Sequence, residues 1–367
     1  MSAVMPVWAS LAGVAVAQPA ARPAFSADVT RAAVLRVMTA AADWQLAHPS
    51  EHAPYDWTVA AFYTGLMAFS ELAESPKYYD ALKAMGERNQ WRPGLNPGLA
   101  DDYAVISTYA RIFTREKDRR MLAPSLALFD FLVTRPFNEP LTWENGIEMR
   151  EWAWCDALFM APPALAAVTT ATGDRRYLDL ANRLWWKTTS FLYDTTEHLY
   201  FRDSRYFQQR EANGRKVFWS RGNGWVFAGI ARVMEELPAD YPDRARYVTL
   251  FREMAERIAA LQGADGYWRS SLLDPDSRPN PETSGTGFFV YGLAWGINHG
   301  LLERARYEPV VTRGWSALVA AMRPDGMLGW VQRIGDQPGA TTASTTEVYG
   351  VGALLLAGSE VHNLATR

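Results

Sequence analysis

The chain has 367 residues, of which 49% are hydrophobic and 21% charged, and its formal net charge is −3. This apolar content excludes a wholly disordered chain, and 37 basic against 40 acidic residues argue against a nucleic-acid-binding protein. Beyond the N-terminus, no apolar run reaches the roughly 18 residues that a transmembrane helix needs. One Cys and five His without a zinc-hydrolase spacing predict neither an internal disulfide nor a metal site. We also predict no cofactor.

The N-terminal segment 1–23 is predicted to be a signal peptide or a disordered tail. An apolar stretch of small residues runs from Pro6 to Ala17 and ends in an Ala-Val-Ala sequence typical of a cleavage site. No Lys or Arg precedes Arg22, so the usual basic region is missing. We expect export to the periplasm or beyond, with a cytoplasmic location as the alternative.

Two kinds of helix are predicted to alternate along residues 24–367. Charged, amphipathic segments are typical of helices with one wet face; they cover 29–46, 75–89, 119–134, 175–192, 241–262 and 304–321. Segments with few charges need protein on most sides; they cover 58–72, 101–113, 157–170, 224–237, 287–300 and 346–359. The unit recurs at an interval of roughly 45 to 65 residues, close to that of helical repeats.

Six apolar and six charged helices fit an all-α (α/α)6 toroid in a single catalytic domain, with an inner ring wrapped by an outer one. An open α-solenoid has the same periodicity, but the small residues around Gly350, Gly352 and Gly358 favour closure. In a toroid the N-termini of the inner helices converge at one mouth. We expect short β-hairpins at 199–201 and 266–268 on its rim.

Asp156 is the first candidate catalytic residue, because Trp154, Cys155, Phe159 and Met160 surround it in sequence. An apolar setting raises the pKa of a carboxyl, so Asp156 could hold a proton near neutral pH and act as a general acid. The alternative is an ordinary N-cap of the following helix. For Cys155, no nearby His favours a nucleophilic role, and a buried packing residue is the better interpretation.

Asp101 and Asp102 form a like-charged pair at another predicted helix start. One could cap the helix while the other faces the cavity; both could equally be capping or solvated. Arg221 lies between Trp219 and Trp225 in a glycine-containing segment. A guanidinium between two indoles can stack and hold a carboxylate, although a structural ion pair in a tight loop is the alternative.

The sequence resembles glycoside hydrolase family 105, the unsaturated rhamnogalacturonyl hydrolases, and the related unsaturated glucuronyl hydrolases. The matching pieces occur in family order over nearly the whole chain: 100–103, 154–162, 219–225, 265–268, 283–287 and 349–353. The family fold is an (α/α)6 barrel. The resemblance implies removal of a 4,5-unsaturated uronic acid from the non-reducing end of oligosaccharides that polysaccharide lyases produce, by protonation of C4 and addition of water at C5.

Carried onto this chain, the resemblance implies that Asp156 is the acid, while Asp101 or Asp102 holds ring hydroxyls and tunes it. The expected substrate-binding side chains are Trp57, Tyr63, Trp154, Met160, Arg202, Asp203, Trp219, Arg221, Trp225 and Trp330.

One departure from the family concerns the hairpin that follows the Asp156 repeat. Many members carry a His there, whereas this chain has Arg202, Asp203 and Arg205. The identity of the leaving sugar therefore stays open. Two rival functions also stay open: an inverting glycosidase that acts on a saturated chain with Asp102 as base, and a non-catalytic sugar-binding toroid.

Overall fold

A computed structural model describes residues 24–365, and the predicted signal peptide or tail at 1–23 lies outside the described residues. Seven helices form the inner ring, because two short ones together make one side: α2 (Trp57–Ser70), α4 (Ile106–Glu116), α6 (Ala157–Met160) with α7 (Pro162–Thr172), α9 (Ser220–Glu236), α11 (Thr283–Asn298) and α13 (Val348–Leu364). Helix α2 contacts α4, α4 contacts α7, and the contacts continue through α9 and α11 to α13, which contacts α2. The ring is therefore closed, and the predicted toroid is confirmed.

The outer helices are α1 (Arg31–Ala47), α3 (Lys77–Arg88), α5 (Ala123–Thr134), α8 (Arg175–Leu192), α10 (Arg244–Ala260) and α12 (Arg304–Ala320). Five of them pack on inner helices: α1 on α13, α3 on α2, α8 on α7, α10 on α9 and α12 on α11. Every residue of α11 is buried, whereas α8 buries one face and exposes its charges. This difference is the reason for the alternation in the sequence.

Closure of the ring depends on a close approach of α2 and α13. A Cβ atom on Gly65 would lie 2.3 Å from the backbone oxygen of Gly352, and a Cβ atom on Gly352 would lie 2.4 Å from the oxygen of Ala61. Neither position has room for a side chain, so glycine sets the spacing of the first and last inner helices.

Four predicted boundaries are wrong. The third inner helix is interrupted before Pro162, which has no backbone N–H to continue α6. Helix α9 begins at Ser220 and α11 at Thr283, so 221–224 and 283–287 form first helical turns rather than loops. Asp101 lies in a separate 3-10 turn, Ala100–Tyr103, ahead of α4.

The described residues contain one two-stranded hairpin, in which β1 (Tyr193–Asp194) pairs antiparallel with β2 (Leu199–Tyr200). The expected hairpin at 266–268 is instead a tight turn, with Gly266 at a φ of 88°. Further 3-10 turns are Arg119–Met121, Ile147–Met149, Ser204–Tyr206 and Pro275–Ser277. Within residues 24–365, no helix is both long and apolar enough to cross a membrane.

Candidate active site

The N-terminal ends of the inner helices meet at one mouth of the toroid. The ring of Trp57, at the start of α2, stacks on Tyr349 of α13 at 5.4 Å and meets Trp225 of α9 edge-on at 6.0 Å. Asp56 caps α2 by accepting a hydrogen bond from the Thr58 backbone N–H at 2.9 Å. Helices that are far apart in sequence therefore build one aromatic surface at this mouth.

Asp156 immediately precedes α6, but its carboxylate does not cap that helix. The Asp156 side chain is only 13% exposed. Its Oδ1 atom accepts a hydrogen bond from the buried Cys155 thiol at 3.2 Å. Burial raises the pKa of the Asp156 carboxyl, and the charges of Arg202 and Arg221 oppose that rise. The capping alternative is thereby removed, and the carboxyl is available to a ligand.

Asp101 and Asp102 have different surroundings, which the sequence left open. The Asp102 carboxylate accepts a hydrogen bond from the Asn96 backbone N–H at 2.6 Å and is only 8% exposed as a residue, so it belongs to the loop before α4. Burial, followed by the charge of Asp156, raises the pKa of Asp101 to about 8. Asp101 is therefore the member of the pair within electrostatic reach of Asp156.

Arg202 follows the hairpin and approaches Asp156 from the side. Its Nε lies 3.9 Å from Asp156 Oδ1, and its Nη1 donates to Asp203 at 2.7 Å. The guanidinium lies over the ring of Trp143 at 4.5 Å, and that ring also carries Arg205 at 4.8 Å. A cation held on an aromatic face beside a carboxylate is fixed in place before any ligand arrives.

The expected carboxylate contact of Arg221 is not supported by the geometry. Arg221 is fully buried and donates to the backbone oxygens of Gln332 and Arg333 at 2.8 and 3.0 Å. Its guanidinium lies over Trp219 and Tyr349, not between two indoles as predicted. Arg221 therefore holds the segment at 332–333 in place and acts on Asp156 through its charge.

Several other predicted ligand contacts also lie beneath the surface. A side chain with almost no exposed area supports the site instead of touching a ligand. The residues with at most 3% exposure are Trp154, Met160, Asp203, Trp219 and Trp225. Asp203, with 0% exposure, is the carboxylate that pairs with Arg202 and Arg205.

Tyr63 and Trp330 are the two remaining aromatic residues among the predicted ligand contacts. Tyr63 lines a cavity of about 410 Å³ with Phe62 and Arg88 between α1, α2 and α3, and its contact with a ligand stays a prediction. Trp330 is partly exposed in the segment before α13, where its backbone oxygen accepts a hydrogen bond from Thr283 of α11. Its backbone φ is 59°.

Sequence reasoning missed Trp143 and Gln332. Trp143 is a partly buried aromatic residue in a polar loop that ends in an Asn-Gly turn, and that isolated position is the signal that could have found it. Gln332 accepts a hydrogen bond from Trp219 Nε1 at 2.9 Å. Its backbone oxygen accepts from Arg221 and Tyr349, a role that no local pattern indicates.

No group of three or more His, Cys, Asp or Glu side chains is placed to hold a metal ion within the described part of the chain.

The model of Glycosyl Hydrolase Family 88 matches residues 29–365. The chain belongs to this family and is a glycoside hydrolase. It is 39% identical over 352 residues to an unsaturated 3S-rhamnoglycuronyl hydrolase of Alteromonas sp. strain LOR, covering 89% of this chain and 85% of the relative. A protein of the same name from Formosa agariphila is 39% identical over 340 residues, covering 89% and 90%.

Solved structures share the same fold. A protein described as a polysaccharide lyase superposes with a TM-score of 0.84 at 33% identity, covering 92% of this chain and 99% of the other. A family 88 glycosyl hydrolase from Bacteroides vulgatus gives 0.81 at 31% identity, with 91% and 99% covered. The unsaturated glucuronyl hydrolase from Bacillus sp. GL1 gives 0.64 at 19% identity, with 88% and 94% covered, and this likeness concerns the fold alone.

Proposed function

We propose that the protein removes a 4,5-unsaturated uronate from the non-reducing end of lyase-generated oligosaccharides. The observation that carries the proposal is the coupled pair of Asp156 and Asp101, whose pKa values are both raised by burial at the same mouth. Because a pair of interacting carboxyls titrates as a unit, this pair keeps a proton near neutral pH. The ordered motifs favour family 105 as the narrower assignment.

In the proposed reaction, Asp156 transfers its proton to C4 of the enol-ether double bond. Positive charge then develops at C5 and on the ring oxygen, and the Asp156 carboxylate accepts a proton from the water that adds at C5. The product at C5 is a hemiketal, which opens to a ketone. Opening leaves a hemiacetal at C1 that expels the neighbouring sugar as an alcohol, so the net change is the addition of one water molecule.

Asp101 has the supporting role in this proposal. Its raised pKa keeps the second carboxyl neutral after Asp156 has given up its proton to C4, which avoids two negative charges in a poorly solvated site. A neutral carboxyl can also donate a hydrogen bond to a ring hydroxyl. Trp57, which is partly exposed and stacked on Tyr349, is the aromatic surface best placed for the planar unsaturated ring.

For the leaving sugar we propose a sulfated rhamnose, which is our interpretation of the name unsaturated 3S-rhamnoglycuronyl hydrolase that two relatives carry. The coverage of both chains is nearly complete, which supports the transfer. The hairpin in which many members have a His carries Arg202, Asp203 and Arg205 here, and a cationic group there suits an anionic oligosaccharide better than a neutral imidazole does.

A second activity to test beside glycoside hydrolysis is polysaccharide cleavage by elimination, because a protein described as a polysaccharide lyase has the same fold at 33% identity. A lyase creates the conjugated double bond that the proposed hydrolase consumes. The two activities therefore change the ultraviolet absorbance of the bond in opposite directions.

The test is a panel of sulfated and unsulfated uronate polysaccharides, each offered before and after lyase treatment. The proposal expects absorbance to fall on lyase-treated sulfated material only. A rise on untreated polymer supports the lyase. Reducing ends released from untreated polymer without an absorbance change support an inverting glycosidase, and binding without turnover supports a sugar-binding toroid.

Export to the periplasm or beyond stays a prediction from the N-terminal stretch of small apolar residues. Fractionation of cells that produce the full chain, with sequencing of the mature N-terminus, tests it. A protein that starts at Met1 in the cytoplasmic fraction contradicts it.

A further inference from the structure

The guanidinium of Arg202 is held rigidly by groups that have no other role in the proposed reaction. Its Nη1 donates to Asp203 at 2.7 Å, and Trp143 covers its face at 4.5 Å. The Trp143 backbone N–H donates to Ser204 Oγ at 2.9 Å, which fixes the indole to the segment that carries Arg202. The Arg202 side chain is only 14% exposed, so protein groups rather than solvent surround most of it.

The backbone of Arg202 is also tied to the segment that carries Asp156. The backbone oxygen of Arg202 accepts a hydrogen bond from the Cys155 N–H at 2.9 Å. Within residues 24–365, the buried Arg202 Nε has no hydrogen-bond partner, and it lies 3.9 Å from Asp156 Oδ1. That distance is longer than a hydrogen bond but within the range of an ion pair.

Two groups thus lie close to the same oxygen of Asp156. The Cys155 thiol donates to Oδ1 at 3.2 Å, and Arg202 faces Oδ1 as well. Because burial raises the pKa of the Cys155 thiol, the sulfur keeps its proton and remains a donor. An oxygen that receives a donor and faces a cation is the poorer site for the carboxyl proton. The transferable proton therefore belongs on Oδ2.

We propose that Arg202 is a positioning residue that orients the Asp156 carboxyl, holding Oδ1 toward itself and the Cys155 thiol so that Oδ2 presents the proton to the substrate. This inference rests on the proposed role of Asp156 as the acid. Arg202 acts through Asp156 and makes no contact with the reacting atoms. Its guanidinium carries a permanent charge, which no pH change in the working range removes.

The sign of the electrostatic effect follows from the charges around the two carboxyls. Asp156 faces Arg202, Arg221, Cys155 and Asp101, and both cations lower its pKa against burial. Arg202 also lowers the pKa of Asp101. Loss of the Arg202 charge therefore raises the pKa of both carboxyls. Activity that needs the proton then persists to higher pH. At the same time kcat falls, because the Asp156 carboxyl is no longer held in the productive orientation.

The second set of charges acts on Asp101. Asp156, Asp102 and Asp56 all raise its pKa. These carboxylates stay in place when Arg202 is substituted, so the change in charge is confined to the guanidinium.

The experiment compares Arg202→Met with Arg205→Met on a lyase-generated oligosaccharide. Arg205 is a matched control, because it lies on the same Trp143 ring and pairs with the same Asp203. We expect Arg202→Met to move the basic limb of the kcat/KM profile up by about one to three pH units and to lower kcat about ten- to a hundred-fold. Arg205→Met leaves that limb in place.

Arg202→Lys provides the rescue. Lysine restores the charge without the planar fork, so we expect the basic limb to return toward its wild-type position while kcat recovers only in part. An unmoved limb in a folded Arg202→Met variant, or the same shift in Arg205→Met, overturns the positioning role. If the wild-type chain itself leaves the double bond intact, the proposed function fails instead, so the two failures are distinguishable.

Discussion

Substitution of Asp101 by Asn is expected to stabilise the protein in a pH-dependent way. The pKa of Asp101 is raised from 3.8 to about 8, first by burial and then by the charge of Asp156. A folded-state pKa above the unfolded value means that folding takes up a proton. This contribution to stability is fully present below about pH 4 and is lost as the pH rises through about 8.

The magnitude follows from the difference between the two pKa values. At pH 7 the unfolded Asp101 is ionised and the folded one is protonated. Because pH 7 lies about 3 units above the unfolded pKa, the proton uptake on folding costs about 4 kcal/mol of stability. Part of the shift belongs to the coupled pair with Asp156. We therefore expect Asp101→Asn to gain about 2 to 4 kcal/mol at neutral pH, where Asn is neutral at no cost.

The assay is urea unfolding of both proteins between about pH 4 and pH 9. The gain in free energy of unfolding should be near zero at the acidic end and level off above about pH 8. Asp118→Asn is the control: the pKa of this surface carboxyl is lowered by its hydrogen bonds to Arg120, so its removal should act in the opposite direction. A gain for Asp101→Asn that is constant with pH, or a loss that grows with pH, refutes the reasoning.

Three further outcomes are expected. Asp156→Asn should reduce kcat by on the order of 10² to 10⁴ without loss of folding, and near-native turnover contradicts the mechanism. Arg221→Met removes the donor of the Arg333 backbone oxygen and one of the two donors of the Gln332 oxygen, and it should lower the unfolding free energy by about 2 to 4 kcal/mol, seen as a lower Tm; an unchanged Tm contradicts a supporting role. Lys187→Met leaves the 1%-exposed carboxylate of Glu151 without its cation and should lower the free energy of unfolding by about 3 to 5 kcal/mol. Lys83→Met removes one partner of a surface pair and should lower it by about 1 kcal/mol or less. Equal losses in the two variants contradict the argument.

The alternation of inner and outer helices could be predicted from the sequence because burial on all sides and burial on one side leave different charge patterns. The start of α9 could not be predicted from the sequence, since Arg221-Gly222-Asn223-Gly224 has the composition of a loop. Glycine is needed there for packing: a Cβ atom on Gly222 would lie 2.9 Å from the Trp219 ring and 3.1 Å from Cys155 Sγ. Contacts with neighbouring segments therefore override the local preference.

The identity of the second carboxyl was also beyond the sequence. Asp101 and Asp102 are adjacent, and the 3-10 turn that contains both decides which one faces Asp156. The burial of Arg221 depends on backbone oxygens at 332–333, more than a hundred residues further along the chain. No local pattern encodes such a partner.

The closing contact between α2 and α13 has a consequence for how the enzyme comes into being. Trp57 and Tyr349 stack across that contact, so the aromatic surface at the mouth requires both ends of the described chain. During synthesis, helix α2 with Trp57 emerges long before α13 with Tyr349. The apolar side of α2 that α13 later covers therefore stays exposed until then. Catalytic competence therefore arrives only with the last inner helix, and a nascent chain that stalls earlier is both inactive and prone to aggregate.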